Sequence, residues 1–260
     1  MGKKLDNAIA LYLEGIRDGN AEDAVKKYTG DRYTQHSTGV ADGVEGFLAF
    51  FGPFIERNPD RDIRIVRGFE DGQHVFLQAY QELNGGRDKW ITTDLFDTDE
   101  NDLIIEHWDV IGPVADTSVS GHSQIDGPSE ITDLEATAKN KEIVTAFAEQ
   151  VLKNGQYERV TDYISTDTYI QHNPMVADGL EGFGKFAAKQ AAIGQAMVYD
   201  DIFRVVGQGN FVVTYSKMRM GDDEYAVFDI FRLENGLIVE HWDNMEKIPP
   251  KAQWGNSGKF

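Results

Sequence analysis

The chain has 260 residues, of which 41% are apolar, 27% charged and 11% aromatic, enough for packed cores and too apolar for a disordered chain. The absence of cysteine excludes disulfides, zinc–thiolate sites, iron–sulfur clusters and thiol nucleophiles. A formal charge of −19 argues against nucleic acid, whose phosphates would be repelled, and no run approaches the roughly 18 apolar residues of a membrane helix.

The N-terminal stretch has no apolar signal region or cleavage site, so a cytoplasmic location is expected. Leu5, Ile9, Leu13 and Ile16 recur at helical spacing, and Gly19 closes that segment. A short helix is expected over Ala21–Tyr28, then a Tyr33-Thr-Gln-His36 stretch leading into a loop, then a helix from Val44 to Glu56. The period then changes to two, predicting strands at Ile63/Ile65, Val75–Gln81, Trp90–Phe96 and Leu103–Val110. Residues 112–138 have the Gly, Pro, Ser and Thr composition of a linker.

Beyond them the pattern starts again. Ile143, Phe147 and Val151 mark a helix ending near Gly155, and helices follow at Tyr157–Ile164 and Leu180–Gly194. Strands are expected at Ile202–Val206, Phe211–Met218, Tyr225–Leu233 and Leu237–Asn244. Asn101-Asp102 and Asn235-Gly236 are turn dipeptides, so the last two strands of each half read as a hairpin.

The restart is a repeat. Tyr33-Thr-Gln-His36 returns as Tyr169-Ile-Gln-His172, and Val40-Ala-Asp-Gly-Val-Glu-Gly-Phe47 as Val176-Ala-Asp-Gly-Leu-Glu-Gly-Phe183, both at an offset of 136. Asp94-Leu-Phe96 matches Asp229-Ile-Phe231, and Glu106-His-Trp-Asp109 matches Glu240-His-Trp-Asp243 with the offset reduced to 134. Four blocks in one order mean duplicated domains, expected at 1–113 and 139–248 with a linker at 114–138 and a tail at 249–260. The fold class is α+β: two tandem cone-shaped barrels, each with three helices packed on a curved, mainly antiparallel sheet of four or more strands. Surface charge has diverged between the halves, with 12 basic and 27 acidic residues in 1–135 against 13 and 17 in 136–260.

The order helix–helix–Tyr-x-Gln-His–Asp-Gly-x-Glu-Gly–helix–strands–Asp-x-Phe–Glu-His-Trp-Asp resembles the SnoaL-like branch of the nuclear-transport-factor-2-like superfamily. More narrowly, it looks like the group predicted to be SnoaL-like aldol-condensing enzymes and polyketide cyclases. The second copy is the closer match, with Asn173-Pro174 after its His and Arg232 after Asp229-Ile-Phe231. The first copy has Ser37-Thr38 and Asp97 at those places, which puts its activity in doubt.

Strand alternation puts Leu237, Val239, His241 and Asp243 on one face and Ile238, Glu240 and Trp242 on the other, with His107 and Asp109 likewise on the face of Leu103 and Ile105. An imidazole and a carboxylate two residues apart on one face form a candidate acid–base pair. Asp229 and Asp94 lie on the preceding hairpin strand, within reach of Asp243 and Asp109. The resemblance gives Asp243 and Asp109 the acid/base role, with Asp229 and Asp94 as partner positions. The alternative is a sheet surface packed against another subunit, with His and Asp in ordinary hydrogen bonds. His172 and His36 either reach the cavity mouth and bond a ligand oxygen or cap loop backbone.

Tyr169, Tyr33, Trp242, Trp108, His241 and His107 are the candidate ligand-lining residues. Asp42 and Asp178 are expected to cap the helices that follow them, with Glu45 and Glu181 at the third position after each cap. No metal is expected, since His-x-Asp on one strand is not a recognisable ligand spacing. No cofactor is expected either, because no Gly-x-Gly-x-x-Gly, P-loop or Gly-x-Ser-x-Gly element occurs.

Two functions remain open at this point. One is an acid/base lyase, isomerase or cyclase with aldol-type chemistry on a small carbonyl compound, in which Asp243 takes a proton while His172 and Asp229 hold the enolate oxygen. The other is a binding or assembly module of the same fold. The expected partners are a small-molecule ligand, an intrachain pseudo-dimer of the two domains and a further homodimer.

Overall fold

The computed structural model describes residues 2–260. It divides into two compact units, Met1–Pro113 with Pro249–Phe260, and Val114–Ile248. Residues 114–138, expected to be a linker, thus belong to the second unit, and the expected tail at 249–260 belongs to the first. Both segments are held by hydrogen bonds to a sheet, which linker composition does not reveal.

In the first unit α1 (Lys3–Ala10) continues as a π-helix over Leu11–Arg17, burying Leu5, Ala8, Leu11, Tyr12 and Ile16. Next come α2 (Ala21–Tyr28), β1 (Thr29–Gln35), α3 (Gly43–Arg57), β2 (Arg61–Asp71), β3 (His74–Leu83), β4 (Asp88–Thr98) and β5 (Ile104–Pro113). The sheet order is β1-β5-β4-β3-β2. All pairings are antiparallel except β1 with β5. The Tyr-x-Gln-His stretch is therefore a fifth, parallel strand rather than the start of a loop. Tyr33 and Gln35 are buried by its alternation, one residue apart from the half-buried Thr34.

In the second unit a single 3₁₀ turn leads into α4 (Thr137–Phe147), which again continues as a π-helix, Ala148–Lys153. The short helix expected over Tyr157–Ile164 is a 3₁₀-helix spanning Tyr157–Asp162. The rest follows the first unit: β6 (Ile170–Gln171), α5 (Gly179–Ala192), β7 (Met197–Gln208), β8 (Phe211–Met220), β9 (Asp223–Glu234) and β10 (Leu237–Lys247), in the order β6-β10-β9-β8-β7. Asn235 and Gly236 turn between β9 and β10 with φ of 52° and 79°, the conformation a tight hairpin requires. Each unit buries its own core between helices and sheet, around Leu11, Val25, Phe47 and Phe96 in one and Val144, Phe147, Ile164 and Phe231 in the other. No helix of the described residues is long and apolar enough to cross a membrane.

The repeated Asp-Gly-x-Glu-Gly block has a backbone explanation. Gly43 and Gly179 sit at φ +79° and +77°, and a Cβ on Gly46 or Gly182 would lie 2.0 or 2.1 Å from a carbonyl oxygen, Ala41 O or Ala177 O. The two aspartates occupy the N-cap positions of these helices, as expected, but make no side-chain capping bond to them. Their Oδ1 atoms instead accept the backbone N–H of Gln35 at 2.7 Å and of Gln171 at 2.8 Å, fixing the end of the parallel strand against the helix start.

The last strand of each unit carries a bulge. Ladder register slips between Ile238 and Glu240 in β10, and Ile104 and Glu106 of β5 stand opposite the adjacent residues Thr98 and Asp97 of β4. An extra residue inverts the alternation. Ile238, not Leu237 or Val239, shares the core with Phe231, and Ile104, not Leu103 or Ile105, joins the first core. His241 with Asp243, and His107 with Asp109, then turn toward the helices.

Candidate active site

The second unit's cavity is lined by Tyr169 and Gln171 from β6, Asn173 beyond it, Tyr199 from β7, Asp229 and Phe231 from β9, and His241 and Asp243 from β10. Asp229 stands directly opposite Asp243 in the ladder. His241 Nε2 lies 3.1 Å from Asp229 Oδ1, and its Nδ1 lies 3.1 Å from Gln171 Oε1. Both partners accept, so the ring donates at both ends. Burial opposes the charge on His241, but Asp229 and Asp243 outweigh it and raise its pKa. Tyr199 donates to Asp229 at 3.2 Å, and Gln171 Nε2 donates to the Tyr169 hydroxyl at 2.9 Å. Asn173 Nδ2 donates to Asp243 Oδ2 at 2.6 Å. Removal from water and the facing Asp229 raise Asp243 above its ordinary value, against the opposing pull of His241.

The first unit repeats this relay and ends it differently. His107 Nε2 lies 2.9 Å from Asp94 Oδ1, and its Nδ1 lies 2.9 Å from Gln35 Oε1. Burial raises Asp94, whose Oδ2 has no hydrogen-bond partner. Tyr12 donates to Asp94 at 2.7 Å. Tyr12 comes from the π-helix, whereas Tyr199 comes from a strand. The 136 offset places Ala148 where the first unit has Tyr12, and ladder register places Ile63 where the second has Tyr199. Each unit thus supplies one tyrosine to its buried aspartate from a different layer.

At Asp109 the difference is one of charge. Lys259, 1% exposed, donates from Nζ to Asp109 Oδ1 at 2.8 Å and to the Asp109 carbonyl at 3.0 Å. Burial pushes the Asp109 carboxyl up, but Lys259 and His107 overcome it and hold the group below its usual value.

Four expected site residues lie elsewhere. His172 stacks on Trp242 with ring centroids 4.4 Å apart, and its Nε2 meets Glu240 at 2.8 Å. His36 stacks on Trp108 at 4.9 Å, with its Nε2 2.9 Å from Glu106. None of the four lines a cavity, because alternation turns Glu240 and Trp242, and Glu106 and Trp108, to the opposite sheet face. There they hold a strap. Ser123 O faces His172 Nδ1 at 2.7 Å and Asp126 O accepts from Trp242 Nε1 at 3.1 Å, while Gly258 O faces His36 Nδ1 at 2.7 Å. Gly127, at φ +84°, passes so close that a Cβ would lie 2.7 Å from Glu240. Asp94 is likewise absent from the first cavity wall; Tyr33, His107 and Asp109 line it.

Sequence reasoning missed Gln35, Gln171, Asn173, Tyr12, Tyr199 and Lys259. The glutamines were legible as the residues two after Tyr33 and Tyr169 on one strand face, had the stretch been read as a strand. Lys259 carries no sequence signal.

Asp229, His241 and Asp243 each bring one donor atom within 4.8 Å of the others, the one such group of metal-ligand type among the described residues. Both His241 nitrogens already hold partners, so a metal would have to displace Asp229 or Gln171. As it stands, the cluster is a buried hydrogen-bonded network.

No family model matches the chain, and no curated protein matches its sequence. Solved structures do. The chain is similar to SnoaL-like polyketide cyclases and ketosteroid isomerase-like proteins. A proposed polyketide cyclase from Bacillus cereus ATCC 10987 is 15% identical, covering 42% of this chain and 73% of that one, with a TM-score of 0.37. A proposed SnoaL-like polyketide cyclase from Jannaschia sp. CCS1 is 20% identical, covering 42% and 84%, with a TM-score of 0.36. A proposed ketosteroid isomerase from Kribbella flavida DSM 17836 is 12% identical, covering 44% and 84%, with a TM-score of 0.38.

Proposed function

We propose that the second unit is a cofactor-independent acid/base site for a small carbonyl compound, with chemistry of the isomerase, lyase or cyclase type. One observation carries this reading: Asp243, its pKa raised above the ordinary value by burial, faces a cavity lined by Phe147, Leu152, Phe183 and Phe231 beside the hydrogen-bonded His241. A base of raised pKa is matched to abstracting a proton next to a carbonyl. Asp243 takes that proton, and the C–H electron pair moves into the carbonyl to give an enolate. In this reading the Tyr169 hydroxyl receives the developing negative charge. Its hydroxyl accepts from Gln171, which leaves its own proton to donate, and burial keeps that proton in place by raising its pKa. His241, cationic between Gln171 and Asp229, adds positive potential at the same end. Returning the proton to a different carbon gives isomerisation; attack of the enolate on a second carbonyl gives the aldol outcome.

The first unit supports a different role. The buried Lys259–Asp109 pair fixes Asp109 as a carboxylate already neutralised by its own ammonium group. That favours a ligand-holding or assembly half over a catalytic one.

The test is exchange of the α-protons of small enolisable ketones in D₂O, followed by NMR, for wild type and Asp243→Asn. A loss of about 10²-fold or more is expected. Equal exchange rates in the two proteins remove Asp243 as the base.

A further inference from the structure

The cavity at Asp243 is small, about 40 Å³. Leu152, Phe183, Met197 and Tyr199 form part of its wall and also part of the wall of a second chamber, of about 440 Å³, under α5. That chamber is walled mainly by Leu152, Val160 and Leu180 and by the small residues Gly184, Ala187 and Ala191. Its side-chain hydroxyls belong to Tyr157, half exposed at its rim, and Tyr199, already bonded to Asp229. Apart from the Met197 thioether, its other lining side chains are hydrocarbon.

The first unit shows what opened the space. At the 136 offset, α3 carries Leu48, Phe51 and Ile55 where α5 carries Gly184, Ala187 and Ala191. With Phe47, Phe50, Phe51 and Phe54 in its wall, the first cavity holds about 100 Å³. A Cβ added at Gly184 would meet nothing within 4 Å, so that face of α5 looks onto open space. Three truncated side chains, all along one helix face, separate a filled cavity from a chambered one.

We infer that the second unit takes a two-part ligand: an apolar body lodged under α5, joined to a carbonyl end that reaches Asp243, with Gly184, Ala187 and Ala191 setting how large the body can be. The carbonyl end rests on the function proposed above; the apolar body does not. A dry cavity of about 150 Å³ accommodates benzene, so 440 Å³ suits a body of roughly two or three rings, or a chain of about ten carbons.

A series of straight-chain methyl ketones, from butanone to 2-tridecanone, tests this by calorimetric binding and by α-proton exchange. Affinity is expected to rise about fourfold per added methylene, the value of burying one CH₂, until the chamber fills. Ala187→Phe and Gly184→Leu import the bulk of the first unit. In each, affinity for long ketones should fall tenfold or more while butanone is bound as in wild type; Ala191→Ile provides a third variant should either fold poorly. Affinity independent of chain length, or rising equally in wild type and the filled variants, overturns the inference. Asp243→Asn separates the two readings. If it keeps the chain-length series and loses exchange, both stand. If it keeps the series with exchange unchanged, the chamber stands and the proton-transfer reading falls. If exchange is lost but the series is flat in wild type, the chamber reading falls alone.

Discussion

Lys259 and Asp109 form a buried ion pair, 2.8 Å from Nζ to Oδ1, with the lysine side chain 1% and the aspartate 6% exposed. The equivalent Asp243 has no lysine partner among the described residues and receives the neutral amide of Asn173 instead. One duplicated carboxylate is thereby held charged and the other is pushed toward its neutral form.

Removing one partner of a buried pair strands the other charge, at a cost of about 3–5 kcal/mol. Lys259→Met is therefore expected to destabilise the first unit by that order, seen in denaturant unfolding. Combining it with Asp109→Asn should recover most of the loss. A single variant as stable as wild type would mean that the pair contributes nothing.

The two carboxylates should respond to pH in opposite directions. Asp109 is lowered in the fold, so its contribution is present above the unfolded carboxylate value and is lost as pH falls through the folded value. Asp243 is raised, so its contribution is present below the unfolded value and is lost as pH rises through the folded one. Carbon-13 carboxyl titration should place Asp109 below and Asp243 above free aspartate. Asn173→Ala, which removes a bond to the ionised form, should move Asp243, and the acid limb of α-proton exchange, higher still.

His172 and Trp242 hold the strap and not the cavity. His172→Ala removes the imidazole from Glu240, which keeps Arg232, and from the Ser123 carbonyl, a loss of about 1–3 kcal/mol for buried groups. Faster amide hydrogen exchange in residues 118–127 is expected, with ketone exchange changed by less than about threefold, well below the 10² expected for losing an acid/base group. A His172→Ala protein inactive while its strap stays protected would restore His172 to the reaction.

Gly46 and Gly182 allow a backbone approach that no other residue permits. Alanine at either would place its Cβ against the carbonyl of Ala41 or Ala177, and overpacking of this kind costs about 1–3 kcal/mol. The loss should appear as a lowered unfolding midpoint, whereas Gly184→Ala, facing open space, should be neutral or stabilising.

Tyr12→Phe and Tyr199→Phe each take one donor from a buried aspartate. About 1–3 kcal/mol is expected in each case. Because the tyrosines come from different layers, Ala148→Tyr is not expected to rescue Tyr199→Phe; thermal unfolding of the single and double variants checks both statements.

The sequence alone carried the repeated blocks, the α+β class and the pairing of the last two strands, because recurring motifs, apolar periodicity and turn dipeptides are local signals. It also marked Asp229, His241 and Asp243, whose spacing on neighbouring strands requires only a hairpin to bring them together. What it did not carry was facing. A one-residue bulge at Val239 inverts the alternation at the head of β10, and reading the parallel strand as a loop hid both the glutamines that hold the histidines and the turning of His36 and His172 to the far side of the sheet. The charge on Asp109 was decided by tertiary structure alone, since Lys259 lies 150 residues away and nothing in local sequence specifies that its ammonium ends on that carboxylate.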